Sequence, residues 1–356
     1  MIALIGPNGS GKSTWLRALA ETIRFAVHSY GYKPGPIPRF PAFMSDEAFR
    51  MPTCIEAEFD APWLSSSPDE PNRVFRYKLE LLRGAKQFFP DSVGYEALHD
   101  FPQGRPRRLM ERRGDEPVHV AKELSIRPSD DRLASVPGNA SVLSTLSRMG
   151  VKEFAEIVSS LDMVQMNVTA VDPIRLDTET VTDYFRDNPQ VKDQISDRLG
   201  RFDLGIQGMD VQQWEDGKWH MAFPHFGLNR FVPFESESAG TRHVVHAFPA
   251  LNYALETHAP TVMDALDNDL HADLVDEILS WFRREDTNPG NAQLICSLHS
   301  LSVLDELEKE EVFIVEKSRE GVTDSYGVRD VQGVRRSSGL RKLYRSGALG
   351  GLPRFG

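Results

Sequence analysis

The stretch GPNGSGKST, residues 6–14, decides the fold class of this chain. It fits the pattern G-x-x-x-x-G-K-S/T and lies between two apolar segments. Residues 1–5 predict a short buried strand, and the spacing of apolar residues from Lys12 to about Ala26 predicts a helix. A strand, a glycine-rich loop and a helix in this order indicate a phosphate-binding P-loop, with a chance glycine-rich turn as the alternative. We therefore expect an α/β protein.

Each part of this loop has a physical role in binding a nucleotide phosphate. The glycines allow the backbone to curl so that successive N–H groups point at phosphate oxygens. The ammonium of Lys12, at the positive end of the helix, would reach the β- and γ-phosphates, and the Ser13 hydroxyl would bind Mg²⁺. The loop thus predicts a site for ATP and Mg²⁺. Its expected binding residues are Gly6, Asn8, Gly9, Ser10, Gly11, Lys12, Ser13 and Thr14.

A second metal-side carboxylate is expected at the end of a neighbouring strand. The segment PTVMD, residues 260–264, is an apolar run that ends in Asp264. This carboxylate could hold Mg²⁺ directly or through water, although Asp264 could also be a simple turn residue at the end of the strand.

Composition indicates a protein of the cytoplasm with no membrane-embedded part. The 356 residues are 40% hydrophobic and 26% charged, and no run approaches the roughly 20 apolar residues that span a bilayer. The first residues lack the basic region of a signal peptide. The two cysteines, Cys54 and Cys296, are expected to be reduced thiols.

The charge is unevenly distributed along the chain. A net charge of −11 argues against general nucleic-acid binding. Residues 105–113 nevertheless hold five arginines against one glutamate, and residues 329–356 hold seven Lys/Arg against Asp330 alone. Each segment could be a local anion site, a solvated surface, or an intramolecular partner for acidic segments.

The periodicity of the rest of the chain predicts strands that alternate with helices. Alternating residues predict strands from about Cys54 to Gly84, whereas the charged, Pro- and Gly-rich residues 103–140 predict a mobile loop region. Further helices are expected at 141–161, 179–200, from about Thr241, at 272–284 and near 301–309, and further strands after Gly205 and in PTVMD, QLICSL and EVFIVEK. This order implies a mostly parallel sheet covered by helices.

Two more motifs follow the P-loop in a fixed order. SESAGT, residues 236–241, precedes a predicted helix and contains Ser238 and Gly240, and His299 lies just past the buried strand QLICSL. Alone, each is weak, since Ser-Ala-Gly could cap any helix and a lone histidine is more often structural. Together with the P-loop, they resemble the ABC ATPases of the SMC/RecF/OLD superfamily, and more closely the short ATPases of prokaryotic abortive-infection and related anti-phage systems.

The resemblance extends over nearly the whole chain. It rests on the Walker A loop, the Walker B region TVMDALDNDLH (261–271), the signature ESAGTR (237–242), the switch histidine in CSLHS (296–300), and the secondary cues FRYKLEL (75–81), FDLGIQGMDV (202–211) and KLYRSGALGGLP (342–353). It implies a single ABC-type ATPase head, with a P-loop and antiparallel β-lobe over about 1–140. A short helical lobe with connecting strands would cover about 141–235, and the signature, Walker B and tail about 236–356. The sequence contains no sustained heptad run, so a long coiled coil is not expected.

The family's mechanism implies a homodimer or higher homo-oligomer that clamps ATP. Lys12 and Ser13 of one subunit would face Ser238 and Gly240 of the other, His299 would contact the γ-phosphate, and Asp267 would begin the D-loop that connects the two sites. The resemblance also implies a sensor or scaffold that controls a nuclease or other toxic effector in anti-phage defence, since the sequence shows no nuclease motif of its own.

Two other functions stay open at this point. A RecF-like repair or recombination ATPase would bind DNA through the basic segments 105–113 and 335–345. The third alternative is the nucleotide-binding subunit of a membrane transporter. The signature SESAG differs from the signature of that class of protein.

One position departs from the family's pattern. The residue after the Walker B aspartate is a catalytic glutamate in the family, and here it is Ala265, which cannot accept a proton. Either an engineered Glu→Ala change traps bound ATP, or the chain is a natural clamp that hydrolyses ATP poorly. Slow turnover is expected in both cases. A Q-loop glutamine is not evident, and Gln103 and Gln165 are candidates by elimination.

Overall fold

The chain folds into two compact units. A computed structural model describes residues 1–41, 45–63, 72–84, 87–168, 177–202, 205–335 and 338–352. One unit, here called the P-loop unit, comprises Met1–Leu16 and Gln165–Gly356, and the other, the β-lobe unit, comprises Arg17–Val164. Each unit has its own core of buried apolar side chains.

The strands and helices are numbered along the chain. The strands are β1 (Ile2–Ile5), β2 (Thr53–Ala61), β3 (Arg73–Leu82), β4 (Ser92–Asp100), β5 (Arg107–Arg113), β6 (Glu116–Val120), β7 (Gln165–Met166), β8 (Asp210–Gln213), β9 (Trp219–Phe223), β10 (Val232–Pro233), β11 (Thr261–Met263), β12 (Leu294–Leu298), β13 (Val312–Lys317) and β14 (Thr323–Gly327). The helices are α1 (Lys12–His28), α2 (Asp131–Ala134), α3 (Val142–Arg148), α4 (Lys152–Asp162), α5 (Thr178–Asp187), α6 (Pro189–Arg201), α7 (Ala239–Thr257), α8 (Ala272–Arg283) and α9 (Leu340–Arg345).

The central sheet of the P-loop unit is mostly parallel. In the described part of the chain its strand order is β14-β13-β1-β12-β11-β7, and only the β13–β14 pair is antiparallel. The strands β1, β11 and β12 are buried along nearly their whole length, as expected for parallel strands that have both faces covered. Their carboxyl ends therefore lie at one edge of the sheet, where the P-loop, Asp264 and His299 follow them directly.

The β-lobe unit contains an antiparallel sheet with the order β2-β3-β4-β5-β6. The predicted alternation of β2 and β3 is confirmed, but the prediction of a mobile loop over residues 103–140 is wrong, because that region forms β5, β6 and α2. Two arginines of β5 are neutralised by carboxylates across the sheet. Arg107 pairs with Asp100, and Arg112 with the buried Glu96, both on the neighbouring strand β4.

Two predicted helices are each divided into a pair. The helix predicted at 141–161 forms α3 and α4, because Gly150 takes the left-handed conformation (φ 78°) between them. The helix predicted at 179–200 forms α5 and α6, and Pro189 stands at the first position of α6.

The predicted fold class is confirmed. The chain combines a mostly parallel sheet, an antiparallel β-lobe and short helices, and the longest helix in the described ranges is α7, with 19 residues. No helix in those ranges is both long and apolar enough to cross a membrane.

Candidate nucleotide-binding site

The P-loop leaves the end of β1 and curls back before α1 begins. Gly9 and Gly11 have positive φ angles of 76° and 111°, a region that residues with a side chain rarely adopt. The N–H of Ser10 donates to the Pro7 carbonyl at 3.1 Å, which closes a tight turn. Asn8, Ser13 and Thr14 are exposed along this loop and the first turn of α1. The backbone thus has the tight curl that a phosphate-binding loop requires.

Lys12 lies folded over the loop, with only 5% of its surface exposed. Its ammonium donates to the carbonyls of Gly6 at 2.7 Å and Pro7 at 3.2 Å. Burial lowers the pKa of Lys12, and the carboxylates of Asp264 and Asp267 oppose this shift. A buried cation beside two carboxylates has the charge arrangement of a phosphate and metal site.

Asp264 is held in place by Asn167, which directly follows β7, and by Ser297 of β12. The side chain of Asn167 bonds both backbone groups of Asp264, accepting from its N–H at 2.7 Å and donating to its carbonyl at 3.1 Å. The hydroxyl of the buried Ser297 donates to Asp264 Oδ1 at 2.5 Å. This frame fixes a hard oxygen ligand at the end of β11, which one strand, β12, separates from the P-loop strand β1. Such a ligand suits Mg²⁺.

Ala265 occupies the next position with a φ of 50°. Its N–H donates to the Ser297 hydroxyl at 2.8 Å, so Ser297 anchors the backbone at this position too. The methyl group offers no atom that could accept a proton from water.

Asp267 connects the loop after β11 with the loop after β12. Its Oδ2 accepts from the backbone N–H groups of His299 at 2.7 Å and Ser300 at 2.5 Å. Because only the backbone of His299 is bound in this way, the exposed imidazole remains able to turn towards a ligand.

The signature segment caps helix α7. Ser238 is the N-cap residue, and its hydroxyl accepts from the N–H of Thr241 at 3.0 Å. Gly240 lies so close to the loop after β11 that an added Cβ would be 2.7 Å from the Asp269 carbonyl oxygen. Ser238 itself is exposed, so the positive end of the helix is open to a partner molecule.

The residues present fit a nucleotide phosphate with Mg²⁺. The hydroxyl of Ser10 is buried within the P-loop and has no hydrogen-bond partner among the described residues, so it can donate to an anion. No group of three or more His, Cys, Asp or Glu side chains in those ranges could hold a metal alone. Mg²⁺ takes one or two protein ligands, here the candidates Ser13 and Asp264, and completes its coordination with phosphate oxygens and water.

The two glutamines considered as Q-loop candidates lie in different units. Gln165 begins β7 beside β11 in the P-loop unit, whereas Gln103 is exposed in a turn of the β-lobe unit. Asn167, two positions after Gln165, was missed by the sequence analysis. Its partner Asp264 is 97 positions away, so no local pattern could identify it.

The basic segment 105–113 is largely neutralised by carboxylates. Arg107 contacts Asp100 and Glu123, Arg108 and Arg113 both contact Glu111, and Arg112 contacts Glu96. The alternative of an intramolecular partner for acidic residues is therefore correct for these four arginines. The predicted basic segment 335–345 includes residues 336 and 337, which lie outside the described residues.

Comparison with known proteins identifies one family and distant similarity to solved structures, among them two of SMC proteins. The sequence model of the family described as "AAA domain, putative AbiEii toxin, Type IV TA system" matches residues 1–305. No curated protein matches the chain. The SMC head domain from Thermotoga maritima is 15% identical over 92% of this chain and 89% of that chain, with a TM-score of 0.39. A structure titled "Structural biochemistry of ATP-driven dimerization and DNA stimulated activation of SMC ATPases" is 12% identical over 47% of this chain and 96% of that chain, with a TM-score of 0.33.

Proposed function

Because the chain belongs to the family described as "AAA domain, putative AbiEii toxin, Type IV TA system", we propose that it is an SMC/RecF-like ABC ATPase, two copies of which clamp Mg²⁺–ATP between them and hydrolyse it slowly. The observation that carries this proposal is the curled P-loop with Lys12 buried beside Asp264 and Asp267.

Within one P-loop unit, different residues would bind the phosphates and the metal. The N–H groups of the P-loop and the ammonium of Lys12 bind the phosphates, while Ser13 and Asp264 supply oxygen ligands for Mg²⁺. Mg²⁺ held by these residues would neutralise charge on the phosphate oxygens. Ser297 and Asn167 keep Asp264 in position, so the site needs little reorganisation when the nucleotide enters.

The signature segment supplies the contact with a second copy. Ser238 and Ala239 are exposed at the N-terminus of α7, where the helix dipole favours an anion. In a two-fold dimer each signature would face the phosphates held by the P-loop of the other copy. Bound ATP would then stabilise the dimer, since a ligand stabilises the state that binds it.

Slow hydrolysis follows from Ala265. A general base at this position contributes about 10²–10⁴-fold to the rate, and a methyl group contributes none of it. Both origins of the alanine, an engineered Glu→Ala change and a natural clamp, lead to the same expectation for this chain.

The proposed cellular role is control of a nuclease or other toxic effector in anti-phage defence, in the cytoplasm. Its support is the family's description, which names a putative toxin and a type IV TA system. The RecF-like alternative has less support, because four arginines of its proposed DNA surface already contact carboxylates. A pull-down from the native host that recovers no partner in any nucleotide state would contradict the proposed role.

Light scattering and phosphate release test the clamp on three proteins. The chain itself, Ala265→Glu and the matched control Ala265→Gln would each be measured with and without Mg²⁺–ATP. We expect ATP to double the mass of the unaltered chain. Ala265→Glu should raise turnover by about 10²–10⁴-fold, whereas Ala265→Gln, equal in size but without a basic carboxylate, should not.

Two results would reject the clamp. A mass that does not respond to Mg²⁺–ATP would exclude the dimer, and equal turnover of the Glu and Gln variants would exclude residue 265 as the position of the base.

A further inference from the structure

The antiparallel strands β13 and β14 form a hairpin that contacts the P-loop directly. The Thr323 hydroxyl, at the start of β14, donates to the Ser10 carbonyl at 2.9 Å. A Cβ on Gly11 would overlap the Thr323 side chain, and a Cβ on Gly6 would overlap the Val315 carbonyl of β13. Two of the P-loop glycines are therefore required by the close approach of this hairpin as well as by the curl of the loop.

The bond from Thr323 fixes the orientation of one peptide group of the P-loop. The carbonyl of Ser10 and the N–H of Gly11 belong to the same planar trans peptide and point in opposite directions. When Thr323 holds the carbonyl on its own side, the Gly11 N–H must point away from the hairpin. An N–H with a fixed direction is what a phosphate-binding loop needs, because its affinity depends on donors that are already aligned.

The C-terminal tail, residues 344–351, is bonded to the same hairpin. Tyr326 of β14 donates from its hydroxyl to the Leu349 carbonyl at 2.8 Å, and the Gly351 N–H donates to Glu316 of β13 at 3.0 Å. The Tyr344 hydroxyl donates to the Gly351 carbonyl at 2.5 Å, which closes the tail on itself.

The tail fits the hairpin without room for additional atoms. Gly350 and Gly351 have φ angles of 72° and 66°, and a Cβ on Gly350 would overlap the Tyr326 hydroxyl. A Cβ on Gly351 would be 2.6 Å from Ile314 of β13. Gly350 and Gly351 are thus explained by contact with the strands that support the P-loop.

We infer that Thr323 is a positioning residue for the P-loop, and that the C-terminal tail holds the β13–β14 hairpin where Thr323 can reach Ser10. The inference rests on the proposed function, because it concerns the affinity of the same site for ATP. It assigns a role in nucleotide binding to a strand and a tail that carry no nucleotide-binding motif.

The test compares the affinity for ATP with the stability of the fold. Thr323→Val removes the hydroxyl at nearly constant volume, and Thr323→Ser restores it. Thr287→Val is the matched control, since the half-buried Thr287 also donates to a backbone carbonyl, that of Trp281 at 2.7 Å. Calorimetry would give the Kd for Mg²⁺–ATP of each variant, and thermal unfolding would give its Tm.

We expect the Kd of Thr323→Val to rise about fivefold to tenfold, the effect of one lost hydrogen bond. Thr323→Ser should stay within about twofold of the unaltered chain, and Thr287→Val should lower the Tm without changing the Kd. Tyr326→Phe, which removes the bond to the tail, should raise the Kd by a smaller factor and provides the readout if Thr323→Val does not fold.

Two outcomes would overturn the inference while leaving the proposed function intact. One is an unaltered Kd in Thr323→Val or, if that variant does not fold, in Tyr326→Phe. The other is a Kd for Thr323→Ser as high as that of Thr323→Val. Failure of the unaltered chain to bind Mg²⁺–ATP would instead reject the proposed function itself.

Discussion

Replacement of Ser297 by alanine tests whether one hydroxyl maintains the geometry of the metal side of the site. Ser297 is fully buried in β12, and its hydroxyl makes two bonds with the segment that follows β11. It donates to Asp264 Oδ1 at 2.5 Å and accepts from the Ala265 N–H at 2.8 Å. Alanine fits the same space, so the substitution removes these bonds and little else.

The expected cost is about 3–4.5 kcal/mol. The bond to the Asp264 carboxylate is worth about 1.5–3 kcal/mol because one partner is charged, and the bond from the Ala265 N–H about 0.5–1.5 kcal/mol. Both partners would remain in place without the hydroxyl, which puts the loss in the upper part of these ranges. This cost is a substantial fraction of a typical net stability of about 5–15 kcal/mol.

Urea unfolding measures this cost through the midpoint and slope of the transition. Ser280→Ala is the control, because the Ser280 hydroxyl on α8 donates to a helix carbonyl, that of Glu277 at 2.7 Å, and contacts no residue of the site. We expect the control to lose less than about 1 kcal/mol. If Ser297→Ala loses no more than the control, the hydroxyl does not hold Asp264, and the frame described here is wrong.

Two further predictions concern the signature and the thiols. Gly240→Ala places a methyl group 2.7 Å from the Asp269 carbonyl oxygen. This overlap should destabilise the fold by about 1–3 kcal/mol, despite the better helix propensity of alanine. ATP-dependent assembly, measured by light scattering, should also weaken. Titration of the folded chain with a thiol reagent should modify the exposed Cys54 alone, because burial shields Cys296 and raises its pKa; simultaneous reaction of both thiols would contradict that burial.

The elements that carry the nucleotide motifs could be predicted from the sequence. The strands β1, β11, β12 and β13 are short apolar runs bounded by turn residues. Helix α1 follows the glycine-rich loop, and helix α7 follows an N-cap serine. In each case the signal lies within a few residues of the chain. Local patterns of this kind depend on periodicity and capping, which operate over one or two turns of structure.

The elements that were missed depend on partners far along the chain. Strand β5 has arginines where a strand should show apolar alternation, and only its pairing with Asp100 and Glu96 on β4 makes those charges compatible with a sheet. Thr323 and Asn167 are similar cases, since each bonds a backbone group that lies 313 or 97 positions away. Sequence periodicity contains no information about such contacts.

The side chains that support the site bind mostly to backbone atoms, and this affects how the protein can change during evolution. Asp267 bonds the N–H groups of residues 299 and 300, and Asn167 bonds the two peptide groups of residue 264. Every amino acid except proline offers the same N–H and carbonyl groups. The reactive side chains are therefore exchangeable without dismantling the loops that carry them. A lineage can gain or lose chemistry at residue 265 or 299 by a single substitution, while the scaffold that would bind the nucleotide is inherited intact.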